Sequence, residues 1–519
     1  MSVRSRRESR RQFLTAAGAV VALPVLAAPA LGVTRRATKL SDYPFQLGVA
    51  SGDPSPRGVV LWTRLAPDAT NGGGMPQENV EVSWQVARDE AMTQVVKSGA
   101  VVATPQDAHS VHVEVDGLEP DRWYFYQFRA AGETSPKGRT RTMPPADSMP
   151  ERLRFSFASC QHFESGYYSA YEHMIADELD LIVHLGDYIY EGAARKGGVR
   201  EHVGGELYKL DDYRNRYAQY RGDEDLQAAH AACPWLVTWD DHEFDNNCAG
   251  DVSEEEGVDV KAFLRRRAEA YKAYYEHMPL RVKQMPKAHN MRLYRRVPFG
   301  RLAEFAVLDT RQYRTDQPND DGLKELSDAV FDPKATLLGE RQEKWLQNTL
   351  GKSPAVWNIL AQQVMMARAD RVAGEKRGFS MDQWSGYHAA RQRLLNFLHE
   401  RKIANPVVLT GDIHTNWVND LQLDFARPDS PVAATEFVGT SITSGGNGTA
   451  KPDYLDTLLA ENPFVKFHSR DRGYVRCSVS KDEWRSDYQA IEDVSQRHTP
   501  QVTRASFIVE NGRPGAQPA

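Results

Sequence analysis

In four places along the chain an apolar run ends in residues able to hold a metal ion. Phe155-Ser156-Phe157-Ala158-Ser159 leads to Cys160. Leu179 to Leu185 leads to Gly186-Asp187, with Tyr190 three residues beyond the aspartate. Trp235-Leu236-Val237-Thr238-Trp239 leads to Asp240-Asp241-His242, and Pro406-Val407-Val408-Leu409-Thr410 leads to Gly411-Asp412-Ile413-His414. Singly, each reads as an ordinary turn. In this order, all together, they supply thiolate, carboxylate, phenol and imidazole donors at the carboxyl ends of strands, where open α/β folds gather their sites along a sheet edge.

The donor types narrow the chemistry. The Asp187 carboxylate can bridge two cations. A phenol with a pKa of about 10 binds metal poorly while protonated. A strongly Lewis-acidic ion removes that proton, because bound cations invert local pKa logic. Cys160 would likewise bind as thiolate. A sulfur, oxygen and nitrogen set that includes the Tyr190 phenolate therefore favours Fe(III), while the oxygen-rich remainder, Asp241 and Asp412, suits a harder ion. Neighbours on an extended segment point to opposite faces. One of the adjacent pair is therefore assigned to metal and the other to holding the loop, with Asp241 favoured as the ligand. His242 is either a ligand or a donor to a phosphate oxygen, and is assigned as donor and general acid. Arg311 is suited to clamp a phosphate bidentately or to serve as an ion-pair residue; the clamp is the catalytic assignment. Ser444-Gly445-Gly446-Asn447-Gly448 reads as an ordinary loop.

The elements that must position these groups fall into two regions. From Tyr43 to Met143 short alternating segments such as Val80-Glu81-Val82-Ser83-Trp84-Gln85-Val86 are separated by turn residues, which predicts a small β-sandwich over 43–143. Pro144 to Glu151 reads as a linker. Strand-like runs then alternate with helical patterns such as Lys261 to His277 and Gly386 to Arg401, which predicts an α/β domain over 151–500.

Phe157-Ala158-Ser159-Cys160, Gly186-Asp187-Tyr188-Ile189-Tyr190-Glu191, Thr238-Trp239-Asp240-Asp241-His242-Glu243 and Gly411-Asp412-Ile413-His414-Thr415-Asn416-Trp417 resemble signature segments of the PhoD-type alkaline phosphatases. Leu308-Asp309-Thr310-Arg311-Gln312-Tyr313-Arg314 and Trp357 to Gln363 also resemble family segments. The resemblance implies a calcineurin-like α/β sandwich core and a smaller N-terminal β-domain. It implies phosphate monoesterase and diesterase activity on small phosphate esters, by attack of a metal-activated hydroxide. It also implies a site of Fe(3+) with Ca(2+). The family's pattern is related to that of the purple acid phosphatases, in which Cys160 stands for an aspartate, Asp241 for an asparagine and Asp412 for a histidine. One histidine of that pattern has no counterpart here. Gln362 or Gln363 falls nearby, and Asp240, Asp245, Asn246, Asn247 and Asp309 are candidates to complete the second ion's ligands. Two rivals differ in function: a diesterase with a phospholipase-D-like outcome on lipid headgroups or teichoic-acid-type polymers, and an exported binding protein without catalysis.

The 519-residue chain is 41% hydrophobic and 26% charged, with a formal net charge of -6. That balance carries no basic footprint of a nucleic-acid partner. Four cysteines are too few for a disulfide scaffold in a chain this long. With Cys160 on metal at most one intrachain disulfide remains, and Cys233–Cys248 is the candidate. At the N-terminus Arg4, Arg6, Arg7, Arg10 and Arg11 precede an apolar run from Phe13 to Leu31 containing Ala28-Pro29-Ala30, the layout of a signal peptide over 1–30. Ser9-Arg10-Arg11-Gln12-Phe13-Leu14 resembles a twin-arginine motif. The twin-arginine export machinery is thus an expected partner, and the destination periplasmic or secreted. Gly18, Pro24 and Pro29 make the run too weak for a lasting membrane anchor.

Overall fold

The computed structural model describes residues 40–519. The expected signal segment 1–30 lies outside the described residues. Two large sheets form the centre. The ten-stranded sheet holds the parallel strands Arg152–Ala158, Leu181–His184 and Trp235–Val237 side by side, with Leu181 opposite Phe155 and Ile182 opposite Trp235. The seven-stranded sheet runs Ala303–Val307, Trp357–Ala361, Pro406–Thr410 and Val432–Val438 in parallel neighbours, edged by antiparallel strands. These strands are buried on both faces, which is why they read as unbroken apolar runs rather than alternating ones.

The sheets pack face to face. Phe155, Phe157, Leu181, Val183 and Leu236 of one meet Phe305, Ile359, Val407 and Leu409 of the other in a single cluster. Phe155 sets its ring edge-on to Phe305 at 5.3 Å between centroids. Helices cover the outer faces. Ser169–Ala176, Leu210–Arg221, Glu224–Ala232 and Val260–His277 cover the first sheet. Gly339–Leu350 and His388–Glu400 cover the second. Asp223 caps the third of these helices, accepting from the Asp225 and Leu226 N–H groups, and Asp259 caps the fourth through Ala262. The result is an α/β sandwich of helix, sheet, sheet and helix layers.

The N-terminal β-region is less separate than its sequence suggests. Val80–Ala87, Val95–Ala103 and Trp123–Ala130 form a small sheet. It packs on Val49–Ser55, Gly58–Arg64 and Ser110–Asp116 through Val59, Leu61, Val82, Val86 and Tyr126. Those last three strands are the edge of the ten-stranded sheet, joined where Gly52 pairs with Trp235. At the other edge Gln501–Glu510 and Arg513–Pro518 continue the sheet, so the expected α/β domain runs past residue 500. All four cysteines are buried and free. Among the described residues no helix is long and apolar enough to cross a membrane.

Candidate metal centre

The ligand-bearing loops leave strands of both sheets, not one sheet edge alone. Cys160 follows Arg152–Ala158, Asp187 follows Leu181–His184 and Asp240 follows Trp235–Val237, all in the first sheet. Asp412 follows Pro406–Thr410 in the second. A parallel bridge between Ser159 and Ser441 ties the sheets together beside the site. Cys160, Asp187, Asp412 and His414 all adopt left-handed backbone conformations, with φ of 59°, 56°, 61° and 57°. Non-glycine residues rarely do so, and each such residue costs on the order of 1–3 kcal/mol, a strain that gathers where function demands it. Gly186 has φ 116°, and a Cβ there would collide with the backbone N and Cβ of Asp240. Only glycine lets these two loops approach so closely.

Three overlapping triads result. Cys160, Asp187 and His414 offer ligand atoms all within 4.8 Å of one another. So do Asp240, Asp241 and Asp412, while Asp187, Asp241 and His242 form a third such group that joins the first two. The Tyr190 hydroxyl is 2.9 Å from Asp187 Oδ2, 3.2 Å from His414 Nε2 and 2.7 Å from Ser444 Oγ. All six residues expected to bind metal are therefore brought together.

The electrostatics fit cations. Burial first, then neighbouring negative charge, pushes Asp187 and Asp240 well above the usual carboxylate range. Asp412 is pushed up to about 6, also mainly by burial. The Cys160 thiol and Tyr190 phenol are raised in the same way, burial acting before the charge of Asp187. Asp187 Oδ1 and Asp240 Oδ2 are buried with no hydrogen-bond donor. Such groups are costly as anions unless something positive meets them, and the thiol, phenol and carboxylate set is one that metal ions deprotonate and bind.

Three placements depart from the sequence reading. The Asp240–Asp241 segment is a turn, with Phe244 and Asp245 N–H groups both donating to the Asp241 carbonyl at 2.8 Å. Both carboxylates consequently enter the cluster. The Asp241 oxygens already accept from His242 N–H at 2.9 Å and Asn247 N–H at 2.8 Å, while Asp240 keeps the free oxygen. Second, Arg311 is only 2% exposed and takes the ion-pair alternative. Its Nε donates to Asp240 at 2.5 Å, Nη1 to Asp382 at 2.7 Å and Nη2 to Asp412 at 3.0 Å, with Asp241 at 3.3 Å. A guanidinium so occupied does not present a free fork to a phosphate. Third, Gln362 and Gln363 turn inward to bind strand ends, with Gln362 Nε2 on Val364 O and Gln363 Nε2 on Leu308 O. Asp309 holds the N–H groups of Arg311 and Gln312, and Asp245 pairs with Arg266. Of the carboxylates considered for the second ion, Asp240 is the one with a buried oxygen that has no donor.

His242 lies against the Tyr190 ring, 4.1 Å between centroids, with Nδ1 2.7 Å from Glu191 Oε2. Burial works against its imidazolium, but Glu191, then Asp241 and Asp187, outweigh it and raise the pKa well above the ordinary histidine value. Glu191 also accepts from Asn246 N–H at 2.9 Å. Glu243 clamps the two aspartate loops, accepting from the backbone N–H groups of Asp187 at 3.0 Å, Tyr188 at 2.6 Å and Asp240 at 2.8 Å. Ser444, read as part of an ordinary loop, reaches both Tyr190 and the Cys160 carbonyl. No local pattern marks Asp382 or Ser444, since their partners lie tens to hundreds of residues away; Glu191 and Glu243 at least adjoin the ligand motifs.

An α/β sandwich with such a cluster at the joined ends of its sheets is the framework of a metal-dependent phosphoric ester hydrolase. The chain belongs to the PhoD-like phosphatases: that family's pattern matches residues 155–488, and the pattern of its N-terminal domain matches residues 30–144. It is 50% identical over 515 residues to alkaline phosphatase D of Bacillus subtilis (strain 168), covering 98% of this chain and 88% of that one. A solved structure of PhoD superposes with a TM-score of 0.90 at 51% identity, covering 93% of each chain. The protein is a phosphatase, and the cluster supplies the metal dependence that this activity implies.

Proposed function

We propose that the protein is an exported alkaline phosphatase that hydrolyses phosphate monoesters and diesters at a centre of Fe(III) and calcium. The supporting observation is that Asp187 belongs both to the triad with Cys160 and His414 and to the triad with Asp241 and His242. One carboxylate thus links two cation positions. Cys160, Tyr190, Asp187 and His414 would hold the iron. Asp240, Asp241 and Asp412, with Asp187 shared, would face the harder ion. When bound, the ions activate water as nucleophile and neutralise charge on the transferring phosphoryl group.

The chain's own residues do the rest. Arg311 holds Asp240, Asp241, Asp382 and Asp412 in one constellation and balances part of their charge. Glu243 fixes the strained loops that carry Asp187 and Asp240. Glu191 keeps a proton on His242 and orients its ring, leaving Nε2 to protonate the departing alkoxide. His242→Gln should then lower kcat/KM for alkyl phosphates by about 10²–10⁴-fold and for p-nitrophenyl phosphate far less, because nitrophenolate leaves without a proton. Equal losses on both esters would remove His242 from the acid role.

The ferric assignment is tested by colour. Phenolate-to-iron charge transfer should give a visible band in the purified protein, and Tyr190→Phe should bleach it. A colourless, iron-free and fully active enzyme would exclude the assignment. Export through the twin-arginine route is tested by changing Arg10 and Arg11 together to Lys, which should leave the precursor in the cytoplasm; normal secretion of that variant would discard the route.

A further inference from the structure

Beyond Glu191 the chain runs from 192 to 209 without a helix or strand. From 193 to 206 it is exposed or half-exposed except at His202, which is buried. Irregular segments longer than about 12–15 residues are uncommon in compact domains and are usually functional or disordered. This one is tied down, and Glu164 is what it wraps. Glu164 Oε1 accepts the Arg195 N–H at 2.8 Å and the His202 N–H at 2.9 Å, and the Glu164 carbonyl accepts the Val199 N–H at 2.8 Å. The other carboxylate oxygen, Oε2, is buried and has no hydrogen-bond donor among the described residues. His202 Nδ1 is likewise buried and without a partner, 3.6 Å from that oxygen. His162 Nε2 is 4.0 Å from the same oxygen. The three residues offer ligand atoms all within 4.8 Å of one another.

Neither separation is a hydrogen bond. Nor do the two side chains form an ion pair: burial, then Arg216, pushes the His202 pKa down to about 2, so its ring is neutral. A buried carboxylate is costly as an anion unless something positive meets it. The other ring nitrogens are already committed. His162 Nδ1 is 3.0 Å from Ser165 Oγ, and His202 Nε2 is 2.9 Å from the Tyr220 hydroxyl. Partners of this kind fix the tautomer and orientation of metal-binding histidines. With those nitrogens donating to Ser165 and Tyr220, His162 Nε2 and His202 Nδ1 carry lone pairs rather than protons. Two imidazole lone pairs and one carboxylate oxygen are a donor set for zinc. Tetrahedral bonds of about 2.0–2.1 Å set ligands about 3.4 Å apart. Separations of 3.6 and 4.0 Å close onto such an ion with small side-chain shifts.

We propose that His162, Glu164 and His202 form a zinc site, with water as fourth ligand, that fastens the 192–209 segment to the turn Phe163–Ser165. It shares no ligand with the catalytic cluster. Its contact there is the His162 ring, which stands edge-on to Tyr190 at 4.5 Å between centroids.

The test uses the active, metal-loaded enzyme equilibrated with buffered free zinc. Elemental analysis should find one added zinc per chain. Zinc X-ray absorption should show nitrogen and oxygen at about 2.0–2.1 Å and no sulfur at about 2.3 Å. A sulfur shell would place the zinc on Cys160 in the catalytic cluster and overturn the proposal. E164Q keeps a side-chain oxygen for the Arg195 and His202 N–H groups, so the segment still folds. It should bind the zinc at least about a hundredfold more weakly and keep its catalytic metals, and H202Q should behave in the same way. Asp187→Asn should still hold this zinc. Zinc should also slow tryptic cleavage after Arg195 and Lys196 in wild type and not in E164Q. No zinc in wild type, undiminished zinc in E164Q and H202Q, loss of the zinc in Asp187→Asn, or equal protection in E164Q would each overturn the proposal.

Discussion

Asp187→Asn should abolish hydrolysis of monoesters and diesters alike while leaving the metal-free protein as stable as wild type, or more so. The two halves of this expectation have one cause. Asp187 is buried among Asp241, Glu243 and Asp412, and its Oδ1 has no donor. Without cations its charge is a cost, and the neutral amide removes that cost while its oxygen still accepts from the Tyr190 hydroxyl. In the proposed two-cation site the same charge would link the two positions. Metal ions at such sites supply several kcal/mol of transition-state stabilisation, and each 1.36 kcal/mol is tenfold in rate. Losing the shared ligand should therefore cost at least about a thousandfold in kcat/KM. Metal analysis should show depleted iron and calcium, and denaturant unfolding of chelator-treated samples should show no loss of stability. A variant that kept both metals and a tenth of the activity would end the bridging assignment.

Much of this architecture was legible because the same short runs encode both strand and site. Pro406–Thr410 is an unbroken apolar strand in sequence and in structure, and the turn that follows begins with the glycine and aspartate that end it. Strand alternation with helices gave the α/β class for the same reason: buried parallel strands lack period-two patterning, and amphipathic helices such as Val260–His277 keep theirs. What the sequence concealed was partnership between sheets. Nothing local in Val49–Ser55 says that Gly52 will pair with Trp235 and fuse the N-terminal strands to the catalytic sheet. The rule that neighbours face opposite ways does not separate Asp240 from Asp241, because both reach one cluster. The rule holds for extended chain, and the segment turns. Asp382 and Ser444 lie outside any motif, and only the folded chain brings them to Arg311 and Tyr190.

Arg311 separates two accounts of the site, and its removal should act on stability before it acts on binding. A phosphate clamp replaced by an apolar side chain would raise KM and leave folding untouched. The geometry predicts the opposite order. Arg311 is fully buried, and its guanidinium meets Asp240, Asp241, Asp382 and Asp412 at 2.5, 3.3, 2.7 and 3.0 Å. Burial alone would lower its pKa, yet these four carboxylates, Asp240 foremost, raise it well above the ordinary arginine value, so it stays charged throughout the working pH range. Arg314 shares only Asp382 and cannot replace it. Arg311→Met keeps most of the volume and removes the charge, leaving carboxylates buried without their partner, a change that costs about 3–5 kcal/mol. That loss should appear in full in chelator-treated protein. Added calcium should restore more stability to the variant than to wild type, because the ion then carries counter-charge that the guanidinium otherwise supplies. Arg311→Lys should fall between, since one ammonium group cannot reach four carboxylates set around a planar fork. If Arg311→Met unfolded at the wild-type denaturant concentration without metal and showed only a raised KM with it, the guanidinium would be a substrate ligand, and the four carboxylates would owe their arrangement to the metal ions alone.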